Sequence, residues 1–589
     1  MVNETFTQLK KNCKSKMSDF EICRISLLGD CATQHLATAL KGYAYTKNVH
    51  LQVLDADYDQ ILSQVMDSNS EMYNFKPDVV LIYMCIEKLY STWCSVPQSE
   101  RSEFANSTFS RIHEYWNYIT RNHVANILQF TFVEHDDLVF GNFACKQSTS
   151  FIYQLRKLNL LLMDGCIHQK NVFLVDLCGI QSRLGRERLF DPKLYYIAKM
   201  PISLAALPDV AANVIDVVQA LRGELKKCVI LDLDNTLWGG VIGDDGLSGI
   251  QIGELGLGRA FSEFQAWLKQ LKTRGVLLAV CSKNEEATAK EPFEEHKEMI
   301  LKIEDFSIFV ANWEDKATNI KRIQHTLNIS MDSIVFIDDN LFERNLVRSL
   351  IPEITVPELP EDPAGYLSYL QSLNLFETVS FSEEDAKRSD QYRTEAQREA
   401  MRQHYDNFED YLQSLEMEAT ALPFDAFHIP RIAQLTQRSN QFNLRTIRYT
   451  ESEIEAAANA SEKITLYFTL KDNLADHGLI SIVILEKQDK KTLFINTWLM
   501  SCRVLKRGME EFVVNKIIET GRKHGFETII GEYIKTSKNA MVASIYKKLG
   551  FTPTDENIFT ANVDKFINNN TFIKEKNNYD PQRNFGKDK

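Results

Sequence analysis

The apolar run Val229, Ile230, Leu231 ends in Asp232, Leu233, Asp234, Asn235 and Thr236, and this ending constrains the fold more than any other stretch of the chain. A short aliphatic, β-branched run followed by polar and glycine-rich sequence reads as a buried strand. Two carboxylates at its exit then stand at the carboxyl end of a strand, the edge at which open α/β sheets bind ligands. Position alone makes Asp232 and Asp234 site candidates.

A chain of 589 residues exceeds one core, and at roughly 150 residues per domain it divides into three or four units. Hydrophobic residues at 44% and charged residues at 25% are ordinary globular usage, which argues against wholesale disorder. The net charge of −13 argues against a general nucleic-acid binder, because phosphate contacts need a basic face. The first residues carry no apolar signal-like core, and no run of 18 apolar residues occurs, so the expectation is a soluble cytoplasmic protein without a membrane span. The 11 cysteines are scattered with no C-x-x-C pair, so neither a disulfide framework nor a zinc site is indicated.

Three blocks follow from hydrophobic patterning. Residues 20–205 alternate short apolar runs (ISLLGD, VHLQVLD, DVVLIYM, NVFLVDL) with amphipathic stretches, of which STFSRIHEYWNYITRNHVANIL is one, as in a parallel α/β sheet. Residues 225–376 alternate again. There the helix 259–275 carries Phe261, Phe264, Trp267, Leu268 and Leu271 on one stripe, with Gly275 as its stop signal. Residues 377–406 are charged, rich in helix formers and read as an exposed helical linker. Residues 407–565 hold successive strands (KITLYFTLKD, GLISIVILEKQ, TLFINTWLMSCR) before a helix, an α+β pattern, and 566–589 form a polar tail.

Four pieces of the middle block fall at or just beyond strand ends: Asp232 and Asp234 with Thr236, Ser282 in VCSKN, Lys316 in WEDKATNI, and Asp338 with Asp339 in FIDDN. Phosphoryl transfer needs a nucleophile, neutralisation of the equatorial oxygens and a proton source for the leaving oxygen. A carboxylate can be the covalent nucleophile, and several acids around one point need an oxygen-ligated cation, Mg²⁺.

On these motifs the block resembles the haloacid dehalogenase (HAD) phosphatases, with a Rossmann-like α/β fold. The resemblance implies Asp232 as nucleophile and Asp234 as general acid/base. It implies Ser282 and Lys316 on the phosphoryl oxygens, and Mg²⁺ held by Asp232, the Asp234 main-chain carbonyl and Asp338. Asp339 would assist or orient. The glycines at 239, 240, 243 and 246 suit a tight flap.

DLDNTLWGGVIGDDG, VCSKN and IDDNLFERN together look like the FkbH-like subfamily, with Leu341 where that family usually has proline. Its members take 1,3-bisphosphoglycerate, form a glyceryl thioester, remove phosphate and load an acyl carrier protein for polyketide or related pathways. Cys281, beside Ser282, is one candidate thiol, although strand alternation would turn it away from Ser282.

ISLLGDCATQHL resembles the nucleophile segment of SGNH hydrolases, with Cys31 in the serine position. The late D-x-x-H motif is missing: LFDPKLYYIAKMPIS offers Asp191 but no histidine, and His35 is the nearby base. The domain thus reads as a docking module or as a second thioester site at Cys31.

The last block resembles GNAT acyltransferases, in which an acyl-CoA pyrophosphate sits on a glycine turn before a helix. That resemblance implies Arg503, Arg507 and Gly508 in the turn, with Lys506 replacing its first glycine. It also implies Asn539 and Tyr546 at the cofactor, which would be acyl-CoA or the phosphopantetheine arm of a carrier. Two other functions stay open: a HAD phosphatase for a small phosphorylated metabolite, and a non-catalytic carrier-binding scaffold.

Overall fold

The computed structural model describes residues 4–15, 20–123, 125–382, 385, 391–394, 398, 405, 407–439, 441–501, 504–536 and 538–576. Most of the expected linker and the end of the expected tail lie outside them. Two compact units divide the chain, Met1–Ala220 and Leu221–Lys589.

The first unit is built on β1 (Glu21–Gly29), β2 (Val49–Asp55), β3 (Val79–Tyr83), β4 (Asn126–Phe130) and β5 (Val172–Val175), all parallel, in the order β2-β1-β3-β4-β5. Strand order reverses between β1 and β3, which makes their carboxyl ends the crevice of the sheet. The helix Phe104–Asn122 lays Phe104, Thr108, Ile112, Tyr115, Trp116 and Ile119 on the core, the helical spacing of its apolar stripe. Sequence periodicity merges residues 107–128 into one amphipathic stretch. In the structure His123 turns extended at φ −154°, and the buried run that follows becomes β4.

The second unit holds two sheets. One consists of β6 (Cys228–Leu231), β7 (Leu277–Ser282), β8 (Ile308–Ala311) and β9 (Ile334–Ile337), parallel throughout, in the order β8-β7-β6-β9. Its switch point lies between β6 and β9. The helix Gly258–Thr273 returns the chain from β6 to β7 and buries Phe261, Phe264, Leu268 and Leu271. Trp267 is only partly buried and stacks on Phe264. The helix stops because Gly275 adopts φ +88°, with Gly275 N–H donating to Lys272 O and Val276 N–H to Leu271 O, the paired bonds of a Schellman end.

The other sheet contains β10 (Glu418–Leu422), β11 (Lys463–Lys471), β12 (Asp476–Lys487), β13 (Thr492–Met500), β14 (Thr528–Glu532), β15 (Thr552–Pro553), β16 (Ile558–Asn562) and β17 (Lys574–Glu575). Their order is β15-β16-β14-β13-β12-β11-β10-β17. Pairing is antiparallel except at β13/β14 and β10/β17. The helix Met509–Lys523 crosses from β13 to β14 and buries Phe512, Val513, Val514, Ile517 and Ile518.

The two sheets of this unit meet at the amino-terminal edge of the parallel one. Lys227, just before β6, donates to Arg438 O at 3.2 Å, and Lys538 pairs with Asp332, just before β9, at 2.6 Å. No helix among the described residues is long and apolar enough to cross a membrane.

Candidate active site

Asp232 follows β6 and Asp338 follows β9, so the two carboxylates face each other across the switch point. The backbone fixes this register: Asp232 N–H donates to Ile337 O at 3.0 Å. Lys316 opens the helix Lys316–Leu327, whose cap is Asp315, and sends its side chain back between the acids. Its Nζ lies 2.8 Å from Asp232 Oδ2 and 2.6 Å from Asp338 Oδ2. Burial opposes the ammonium charge, but the two carboxylates outweigh it and hold the lysine well above its usual range.

One lysine does not balance the acids. Oxygens of Asp232, Asp338 and Asp339 all lie within 4.8 Å of one another. Burial and then the Asp232 charge push Asp338 up to about 7, and the same two causes raise Asp339. A hard divalent cation with oxygen ligands fits this donor set and would remove the repulsion. Asp339 is oriented by Thr236, whose hydroxyl donates to Asp339 Oδ1 at 3.3 Å and accepts from Asp339 N–H at 3.1 Å.

Asp234 stands apart from that cluster. Its Oδ1 accepts from Trp238 Nε1 and Ile242 N–H, both at 3.0 Å, and its Oδ2 accepts from Asn284 Nδ2 at 2.8 Å. The Ile242 bond ties the flap to the site, and Gly240 (φ +94°) and Gly246 (φ +64°) supply its left-handed turns. Gly239 and Gly243 have ordinary φ values, so only two of the four glycines are required by the backbone. Ser282, the last residue of β7, accepts from Asn284 at 3.2 Å.

Sequence reasoning left two site residues without a role. Asn284 joins Ser282 to Asp234 in one hydrogen-bond chain. Arg344, buried, donates to the carbonyls of Asp338 (2.9 Å) and Asp339 (2.5 Å) and pairs with Glu358, which holds the acidic loop in shape. Their positions inside VCSKN and IDDNLFERN were the available signal.

Cys281 does not join the site. It lies fully buried among Ile320, Ile323 and Phe336, its Sγ faces Lys316 O at 3.8 Å, and burial pushes the thiol up to about 12. Val280 and Cys281 sit on opposite faces of the strand, as alternation requires, so a thiol in this place serves as core packing.

In the first unit Asp30 and Cys31 follow β1 and Cys85 follows β3, which puts two thiols and a carboxylate at the crevice of that sheet. Their ligand atoms lie within 4.8 Å of one another. Asp30 Oδ1 accepts from Cys85 N–H at 2.7 Å, and burial pushes this acid up to about 6. Hydrogen bonding with Cys85, and then burial, raise the Cys31 thiol. Asp191 caps the helix Pro192–Ala198 through Leu194 N–H rather than serving a base. His35 packs against Phe6 at 5.3 Å.

The second sheet of unit two revises the cofactor expectations. Arg503 lies outside the described residues. Arg507 is buried, with Nη1 3.5 Å from Asp472 Oδ2 and 3.3 Å from His477 Nε2, so its charge is committed to a buried carboxylate rather than to a pyrophosphate. Gly508 (φ +82°) starts the helix Met509–Lys523 as expected, and its carbonyl accepts from Thr571. Lys506 adopts φ +63° and donates its N–H to Glu510. A cavity of about 620 Å³ beside this turn is lined by Lys506 and Lys548 but also by Glu510 and Glu511, so its charge is mixed.

Asn539 and Tyr546 are used structurally. Strands β13 and β14 pair only over Thr492–Ile495 and Thr528–Gly531, and beyond that residues 442–444 lie between them. Leu444 N–H donates to Trp498 O (3.3 Å), Met500 N–H to Phe442 O (3.0 Å) and Ile534 N–H to Leu444 O (2.8 Å). Asn539 Nδ2 donates to Asn443 O and to Ile534 O, both at 2.9 Å. The slot is therefore filled by the chain's own backbone. Tyr546 is 1% exposed, and a Cβ at Gly531 would fall 2.4 Å from its ring, so the phenol packs on the β14 backbone.

A four-stranded parallel sheet with carboxylates at the carboxyl ends of adjacent strands, bridged by a lysine from the helix after β8, defines an enzyme domain of the HAD phosphatase type. Comparison with solved structures finds the N-terminal part of the protein BF1531 from Bacteroides fragilis, containing a phosphatase domain complexed with Mg. It is 46% identical, with 64% of this chain and 100% of that one covered at a TM-score of 0.62. The family profile for the FkbH N-terminal domain matches residues 24–219. The chain belongs to the FkbH-like family.

Acetyltransferases also overlap about a quarter of the chain. The ribosomal-protein-S18-alanine N-acetyltransferase from Escherichia coli is 16% identical over 25% of this chain and 94% of its own, with a TM-score of 0.20. The putative acetyltransferase yncA from Salmonella typhimurium, with acetyl-CoA, is 12% identical over 25% and 95%, with a TM-score of 0.21. No curated protein matches.

Proposed function

We propose that this protein is a Mg²⁺-dependent cytoplasmic phosphatase and glyceryltransferase that takes 1,3-bisphosphoglycerate and loads a glyceryl unit on an acyl carrier protein for polyketide or related biosynthesis. The observation that carries the phosphatase part is Lys316 held between Asp232 and Asp338 with Asp339 alongside. Asp232, Asp338 and the Asp234 carbonyl would hold the cation, which shields phosphoryl charge when bound.

Asp232 attacks phosphorus, the bond to the leaving oxygen breaks, and a proton from Asp234 neutralises that oxygen. Water then splits the aspartyl phosphate and returns the proton to Asp234. Lys316 and Ser282 hold the phosphoryl oxygens, and Asn284 keeps Asp234 and Ser282 in register.

For the acyl half, a cysteine sulfur attacks the carbonyl carbon of the acyl phosphate, the C–O bond to phosphate breaks and the departing phosphate carries off the thiol proton, giving a thioester. The carrier thiol attacks that thioester and frees the first sulfur. Both candidate thiols are buried, but Cys31 lies beside Asp30 and Cys85 at the carboxyl ends of β1 and β3, the ligand-binding edge of an α/β sheet, while Cys281 points into the core away from Ser282, so this role goes to Cys31.

Intact-mass measurement after brief exposure to 1,3-bisphosphoglycerate and Mg²⁺ tests the assignment. The glyceryl or phosphoglyceryl adduct is expected in wild type and in Cys281→Ala, and lost in Cys31→Ala. Phosphate release with no thiol adduct in any variant would leave a plain phosphatase.

A further inference from the structure

The chain is acidic overall, yet residues 183–199 carry five basic side chains (Arg183, Arg186, Arg188, Lys193, Lys199) against two acidic ones (Glu187, Asp191). Asp191 is occupied as a helix cap and Arg188 pairs with Asp209, which leaves Arg183, Arg186, Lys193 and Lys199 on the surface. The same segment presents apolar side chains to solvent: Tyr196 and Ile197 are each 75% exposed.

This surface is attached to the first unit's thiol pair. Ala32 N–H, next to Cys31, donates to Lys199 O at 2.9 Å, so the end of the helix Pro192–Ala198 is anchored on the nucleophile loop. Tyr195 packs its ring against Phe190 at 6.1 Å and Tyr196 at 5.8 Å, which ties the exposed aromatic to the preceding loop. Arg186 and Phe190 share the lining of a small cavity with Met84, Ile86 and Glu87, the residues that flank Cys85 in sequence.

Exposed basic side chains and two exposed apolar ones on one segment, hydrogen-bonded to the loop that carries Cys31, are the composition of a docking site for an acidic protein. We propose that residues 183–199 dock an acidic carrier protein, with Ile197 and Tyr196 as the apolar anchor and Arg183, Arg186, Lys193 and Lys199 as the charged rim, so that the carrier's thiol arm is delivered to Cys31. This inference rests on the transferase reading given above.

The test uses a holo acyl carrier protein and free pantetheine as two acceptors, since pantetheine has the thiol arm without the protein surface. The double variant Ile197→Glu, Lys193→Glu is expected to raise KM for the holo-carrier about tenfold or more, a loss typical of one interface anchor. Glyceryl transfer to pantetheine and phosphate release without acceptor should match wild type. Raising salt should weaken the wild-type reaction with carrier and leave that with pantetheine unchanged.

Equal kinetics of variant and wild type with the carrier would overturn the proposal. Calorimetric titration with the holo-carrier separates the two readings. Carrier binding by wild type that the variant loses, without acyl transfer, would keep the docking site and remove the transferase. Acyl transfer without surface-dependent binding would do the reverse.

Discussion

Replacing Asp232 by Asn is expected to cut Mg²⁺-dependent phosphate release about 10³-fold or more, because an amide cannot form the aspartyl phosphate. The fold should persist. The substitution keeps the size of the side chain, the Asp232 N–H bond to Ile337 O is a backbone bond, and Lys316 retains Asp338 as its partner. Removing one of three crowded carboxylates also relieves the repulsion that raises Asp338 and Asp339. Phosphate assay alongside thermal unfolding checks both halves. Unchanged release would place the phosphatase chemistry elsewhere and make the HAD site a scaffold.

The second large effect concerns stability. Asp472 is buried and holds Arg398 at 2.7 Å, His477 at 3.0 Å and Arg507 at 3.5 Å. Asp472→Ala leaves buried cations without their carboxylate, and breaking such a group is expected to cost about 3–5 kcal/mol. Urea unfolding at neutral pH measures it. Burial raises this carboxyl, but the His477 hydrogen bond and the His477 and Arg398 charges outweigh burial and hold it well below the usual range.

A depressed carboxylate stabilises the fold above its unfolded pKa of about 3.9, and that contribution fades as pH falls through the folded value. Wild-type stability should therefore hold from neutral pH down to about 5 and drop below it. Asp472→Asn should start lower and show a shallower fall over the same range. Parallel curves for the two proteins would mean that the network contributes nothing to acid sensitivity.

How far these properties were legible depends on what each rests on. The parallel sheets and the site at β6 and β9 follow from apolar runs with carboxylates at their ends, a local pattern. Lys316 was legible because its helix begins where the chain leaves β8. The open question at Cys281 and the cofactor role expected of Arg507 both turn on burial, which comes from elements distant in sequence: the helix Lys316–Leu327 for the thiol, Asp472 and His477 for the guanidinium. Tyr546 matched a motif, yet the structure uses its ring to cover Gly531. The boundary between the helix Phe104–Asn122 and β4 was missed because apolar spacing continues across His123, and only backbone extension marks the change.

The filled slot between β13 and β14 also orders the assembly of the chain during synthesis. Strands β6 to β9 are complete once Ile337 has left the ribosome, so the phosphatase sheet can close early. Leu444 reaches its native hydrogen-bond partners only once Trp498 and Ile534 have been made, so the segment 442–444 lacks its native neighbours until then. Such non-local closure is slow and exposes apolar surface in the meantime. Truncations that end before Ile534 are thus expected to yield an intact phosphatase sheet joined to an aggregation-prone remainder.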